Sequence, residues 1–131
     1  WLDPSASHAL ASQGEEVFYV GLGASAPKKA RAVAKLRKLP VTAVGWLPPG
    51  EPKAGSSTVS VLLGTRDGQL WEAGLDEKGR DRTPKKLHEL HASDEGRVCR
   101  LVVEATDAGD GDGGLLVMAV TPSRFYMFVG G

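Results

Sequence analysis

Residues Val59–Leu75 read VSVLLGTRDGQLWEAGL, two apolar runs joined across Asp67-Gly68. Asp-Gly between apolar runs is what a two-residue type I′ hairpin turn requires, because both central residues must adopt positive φ. Pairing outward from such a turn sets Thr65 opposite Leu70, Gly64 opposite Trp71 and Leu63 opposite Glu72, and opposed residues share a face. In this register Gly64 leaves room for the Trp71 indole. One face then carries Leu63 with Leu70, the other Leu62 with Trp71 and Leu75. A sheet with one wet face would alternate apolar and polar residues more cleanly, so the hairpin is expected to be covered on both sides.

The same layout recurs along the chain. SQGEEVFYV from Ser12, TRDGQLWEA from Thr65 and TPSRFYMFV from Thr121 each place a small hydroxyl residue before a polar turn and an aromatic-bearing strand, at spacings of 53 and 56 residues. VTAVGWL at Val41 and VCRLVVE at Val98 lie 57 residues apart, each followed by a polar loop and an apolar strand. Strands are accordingly expected at Val17–Val20, Val41–Leu47, Val59–Thr65, Gln69–Leu75, Val98–Glu104, Leu115–Thr121 and Phe125–Val129, with a weaker outer strand in each unit. Strand, long loop, strand, tight turn, strand is the anatomy of a β-propeller blade, and stacked blades bury both faces of each sheet. The reading is an all-β propeller fragment of about two to two and a half blades with little helix: residues 1–20 end one blade, 41–95 form a second and 98–131 a third. So few units leave open sheet edges, which are adhesive unless covered.

Composition narrows the function classes. The 131 residues fit one domain, and sixteen basic against sixteen acidic residues leave no whole-molecule field that would favour nucleic acid. The single cysteine, Cys99, cannot form an internal disulfide, which points to a reducing, cytoplasmic compartment. No apolar run approaches the roughly 18 to 20 residues of a membrane-spanning helix, and the first residues lack the layout of a signal peptide. The opening WLDPSASHAL, without methionine, reads as mid-domain sequence, a piece of something longer.

Motifs that would carry chemistry are thin. VFYVGLGASA from Val17 places Gly21, Gly23 and Ala26 after a strand, as a dinucleotide-binding turn would, and PKKARAVAKLRK from Pro27 could then be the helix that follows. The acidic residue about 20 positions on that would bind ribose is missing, and aligning Gly21 with Gly74 makes these glycines a strand exit instead. HELH, His88–His91, has its histidines three apart where metalloprotease spacing is four. DAGDGDGG from Asp107 lacks the closing Glu of a calcium loop. Cys99 sits in an apolar run, where a thiol is usually inert packing, and His8 heads a strand in a packing or surface role. Lys28, Lys29, Arg31, Lys35, Arg37 and Lys38 form an acid-free basic strip, the candidate contact surface for phosphate or anionic lipid headgroups. Without aromatic residues among them, a role in nucleic-acid stacking is disfavoured.

These residues resemble a family. LDPSASHALAS (Leu2–Ser12), KARAVAKLRKLPVTAVGW (Lys29–Trp46), SSTVSVLLGTRDGQLWEAGL (Ser56–Leu75) and RFYMFVGG (Arg124–Gly131) are similar, in order, to the N-terminal propeller region of the deep-orange family, vacuolar protein sorting-associated protein 18. Its Leu-Gly-Thr, turn-closing Gly and aromatic-Glu signature falls on Leu63, Gly64, Thr65, Gly68, Trp71 and Glu72, with Asp67 in the turn. The loops at Pro48-Pro49 and Asp110–Gly114 are a departure from the resemblance. The resemblance implies a non-catalytic scaffold, with no cofactor or small-molecule substrate, in endosome-to-vacuole or lysosome tethering complexes of the HOPS and CORVET type. Implied partners are the other subunits, with SNARE proteins and small GTPases acting through the assembly, and the implied location is peripheral on late endosomal or vacuolar membrane. The family's helical solenoid and RING-type zinc domain have no counterpart in these residues, so no ligase or zinc role is carried over. Two alternatives stand beside this: another propeller adaptor, such as a coat or ubiquitin-ligase scaffold, and a nucleotide-binding enzyme, which requires a helix over 27–38.

Overall fold

The computed structural model describes residues 1–22, 30–48, 59–76, 79–90, 96–106 and 114–130. Among them, strands β1 (His8–Gln13), β2 (Glu16–Gly21) and β3 (Arg31–Ala32) make one antiparallel sheet. A second, four-stranded sheet contains β4 (Val41–Trp46), β5 (Val59–Thr65), β6 (Gln69–Leu75) and β7 (Arg82–Glu89), in chain order. The third contains β8 (Arg100–Thr106), β9 (Gly114–Val120) and β10 (Phe125–Gly130). Meandering sheets stacked face to face are the architecture of a β-propeller fragment. The one helical element among the described residues is a 3-10 turn at Ala34–Leu36, and Arg31–Ala32 is strand, so the described part of 27–38 does not form the helix that a dinucleotide fold needs.

The central hairpin differs from the expected register by one residue. Gly64 opposes Leu70, Leu63 opposes Trp71 and Leu62 opposes Glu72. Three residues, Arg66–Gly68, therefore form the loop, and only Gly68 takes positive φ, at 77°. This is a turn closed by a left-handed glycine bulge; an Asp-Gly pair fits it as well as the two-residue turn, and the extra residue exchanges the faces of one strand relative to its partner. Thr65 fixes the choice. Its carbonyl accepts the Gly68 N–H at 3.2 Å and its hydroxyl accepts the Gln69 N–H at 3.1 Å, in a fully buried position. Thr121, also buried, uses its hydroxyl in the same way on the Arg124 N–H at 3.1 Å, which gives the hydroxyl residue of the second and third repeats its physical role; Ser12, at the first, is exposed.

With this register, Val61, Leu63, Ala73 and Leu75 face the first sheet and pack with Leu10, Val17, Tyr19 and Leu36. Leu62 and Leu70 face the other way and pack with Leu90, Val98, Leu101 and Ala119. The second sheet is thus covered on both sides, each buried Leu or Val contributing about 1.5–3 kcal/mol. Gly64 does not accommodate Trp71. It faces Val98, whose Cγ1 lies 2.5 Å from where a Gly64 Cβ would stand. The third sheet leaves Phe125, Met127 and Val129 exposed on β10, an uncovered apolar face.

Two strands carry weak sequence signals. β1 is HALASQ, in which Leu10 is the one buried residue. β7 is charged and contains Pro84, Lys85 and Lys86, residues that suit an outer edge because they discourage further strand pairing. Cys99 is exposed and precedes β8, which begins at Arg100; Val98 is buried instead.

Replacing Gly64 with Ala is expected to cost about 1–3 kcal/mol through overpacking against Val98. Gly130→Ala, where a Cβ meets nothing within 4 Å, should be near neutral. Urea unfolding of both variants measures the difference.

Candidate functional site

The first and second sheets are joined by a polar contact centred on Arg31. β3 is only two residues long, but pairing with Phe18 and Tyr19 holds it at the sheet edge. From there the Arg31 guanidinium crosses to the second sheet and grips both Asp81 carboxylate oxygens at 2.8 Å each. It also donates to the Asp76 carbonyl at 2.7 Å and lies 5.0 Å from the centre of the Tyr19 ring. Asp81 Oδ1 further accepts the Asp76 N–H at 3.0 Å, and the Lys35 ammonium donates to the Asp81 carbonyl. Asp81 is 7% exposed and Arg31 30%. Burial pushes the Asp81 carboxyl up, yet the Arg31 and Asp76 hydrogen bonds with the Arg31 and Lys35 charges outweigh it and hold the group below its ordinary value. The Asp81 hydrogen bond, opposed by burial, raises Arg31. A fork-to-fork pair of this kind fixes orientation as well as distance.

The expected basic strip is distributed by this geometry. Lys28 and Lys29 lie outside the described residues. Arg31 and Lys35 turn toward Asp81. Arg37 points to Glu16 of the first sheet, 4.0 Å away in an exposed pair, and Lys38 is exposed, with left-handed backbone at φ 69°. Sequence density brought these cations together; their described side chains serve different partners. Of the repeat signature, Leu63, Gly64, Thr65 and Gly68 are buried, Asp67 is exposed in the turn, and the Trp71 indole donates to Gln69 Oε1 at 3.1 Å. Glu72 pairs across the sheet with Lys85. In the HELH motif, His88 packs edge-on to Phe128 at 5.2 Å, and His91 lies outside the described residues, as do residues 107–113. No group of three metal-capable side chains occurs among the described residues.

Sequence reading missed a second feature, a cleft of about 450 Å³ between the loop that follows Asp3, the end of β4 at Trp46, the start of β5 at Val59 and the end of β8 at Val103. Trp1 and Leu2 lead into that loop alongside β1, with the Leu10 N–H bonded to the Trp1 carbonyl at 2.8 Å and Leu2 bridged to Ala9. Asp3 organises the loop: Oδ1 accepts the Ser7 and His8 N–H groups at 2.7 and 2.8 Å, and Oδ2 accepts the Ser5 hydroxyl at 2.6 Å. Burial raises the Asp3 carboxyl, but the Ser5, His8 and Ser7 hydrogen bonds with the His8 charge together lower it further, so it is held ionised. His8 Nδ1 meets the Tyr19 hydroxyl at 2.7 Å, tying the cleft to the Arg31 joint. These groups form a shaped, charged surface suited to holding a ligand.

Comparison with known proteins follows the same line. All of residues 1–131 match the family model described as the Pep3/Vps18/deep orange beta-propeller domain. A protein named vacuolar sorting protein 18 from Arabidopsis thaliana is 36% identical over 135 residues, an alignment that covers 99% of this chain and 13% of that protein. The chain therefore spans about an eighth of the relative's length.

The joint predicts a pH signature. Because the folded Asp81 carboxyl lies below its unfolded value near 3.9, its stabilisation is complete above that value and is lost as pH falls through the folded one. Asp81→Asn is expected to cost about 1–3 kcal/mol at pH 7, less than a fully buried pair because Arg31 is partly solvated. The gap from wild type should close below about pH 4. Thermal unfolding across pH 3–7 measures it; a gap independent of pH would contradict the assignment.

Proposed function

Because the chain belongs to the Pep3/Vps18/deep orange β-propeller family, we propose that it is a non-catalytic binding scaffold within a complex that tethers endosomes and vesicles to the vacuole or lysosome. The match over every residue of the chain carries this reading. Its physical support is the stacking of three sheets with both faces of the middle one buried, since a stiff framework holds its loops at fixed positions, where binding residues concentrate. The three sheets are read as parts of three consecutive blades, the first continuing past Val20 to β3.

In this role the chain contributes to an assembly of the HOPS or CORVET type that supports docking, fusion and vacuolar protein sorting. Its partners are other tethering subunits, and SNARE proteins and small GTPases engage through the assembly. Contact with the membrane is peripheral, on late endosomes or the vacuole. Among the described residues no helix is long and apolar enough to cross a bilayer. The basic residues Lys28, Lys29, Arg37 and Lys38 are proposed as a contact edge, with Arg31 and Lys35 holding that edge to the second sheet.

Affinity purification of the tagged protein that carries this chain tests the reading. It should recover the other tethering subunits and sediment with late endosomal or vacuolar membranes, to be released by alkaline carbonate. Recovery without those subunits, or from membranes of another compartment, would overturn it.

A further inference from the structure

We propose that the cleft between Asp3, Trp46 and Val103 binds an extended peptide segment of a partner protein in which a basic residue adjoins a bulky apolar one. The inference deepens the scaffold reading by naming the chemistry of a partner. Its test is separate, because peptide binding and recovery of tethering subunits can fail independently.

Size comes first. At about 450 Å³ the cleft lies within the range of specific ligand sites, roughly 300–1,000 Å³. It takes a few side chains and not the face of a folded domain. Three sheets contribute walls, so the shape is held by the stacking of the fold and not by one loop.

The walls then select the occupant. Trp46, Val59 and Val103 each keep part of their apolar surface uncovered and line the cleft together, a setting in which burying an apolar side chain of a partner is favourable. Glu104, exposed, and Asp3, buried and ionised, line the same space. All described donors to the Asp3 carboxylate are neutral backbone N–H groups or a serine hydroxyl. Among the described residues no lysine or arginine forms an ion pair with either carboxylate. Among the described residues the lining carries two carboxylates and no lysine or arginine, His8 being its one basic side chain, so a positive group on the occupant complements it. A nucleotide or acidic headgroup has the wrong sign, and a polyamine lacks the apolar body. Leucine or phenylalanine next to lysine or arginine in an extended chain supplies both.

The test uses fluorescence anisotropy of fluorescein-labelled Lys-Leu-Lys-Phe-Lys-Leu with this chain. Binding should saturate, weaken as salt rises, and fall at least about tenfold in the Glu104→Lys variant. Position 104 is exposed, so that variant should keep the wild-type unfolding midpoint. Peptides with Ser at the apolar positions, or Glu at the basic ones, should also bind at least about tenfold more weakly. Lys85→Glu, on the outer strand β7, should leave binding unchanged. Absence of saturable binding below about 1 mM, equal binding of the Ser or Glu peptide, or full affinity in a folded Glu104→Lys variant would each overturn the proposal.

Discussion

The structure depends on one buried threonine at the turn of the central hairpin. Thr65 closes the loop to Gly68, caps the Gln69 N–H and accepts the Val98 N–H on the same carbonyl, at 3.0 Å. Gly68 in turn accepts the Leu90 N–H at 2.8 Å. The Thr42 hydroxyl donates to the Val98 carbonyl from the neighbouring strand. One turn thereby sets the β5–β6 register, receives the end of β7 and anchors the lead into the third sheet. Buried polar groups need partners, and here they come from the turn itself, from the start of β6 and from the segment that leads into β8.

Register is the quantity at stake, because a slip of one residue exchanges the two faces of a strand. On the observed register Leu63 and Leu75 belong to the core shared with the first sheet, and Leu62 and Leu70 to the core shared with the third. The two cores supply most of the stabilisation. The Arg31–Asp81 pair is of another kind: such a pair is worth little more than a well-packed apolar replacement, while breaking it leaves a charge stranded. Its contribution is orientation, since it fixes how the first sheet sits on the second. Through Tyr19 and His8 the same contact reaches the cleft at Asp3.

Much of this was legible in the sequence. Apolar runs bounded by Gly, Asp and Pro located β2, β4–β6 and β8–β10, and the recurring hydroxyl-turn-aromatic unit led to a propeller whose middle sheet is covered on both faces. The loop length was not legible, because Asp67-Gly68 satisfies two turn types that differ by one residue. β1 was obscured by its two alanines and its serine. Arg31 read as one cation in a strip because its partner, Asp81, is 50 residues away in the chain, and nothing local announces such a pair. The cleft was invisible for the same reason: Asp3, Trp46 and Val103 meet only once three sheets have stacked.

Amide hydrogen exchange at Val98, followed by NMR, tests the central claim most directly. If the Thr65 turn binds the sheets into one body, the Val98 amide should exchange as slowly as Val61 and Leu63 inside β5, opening only with the fold as a whole. Exchange of Val98 at the rate of an exposed loop, with β5 still protected, would show that the third sheet is not anchored there and would contradict the account.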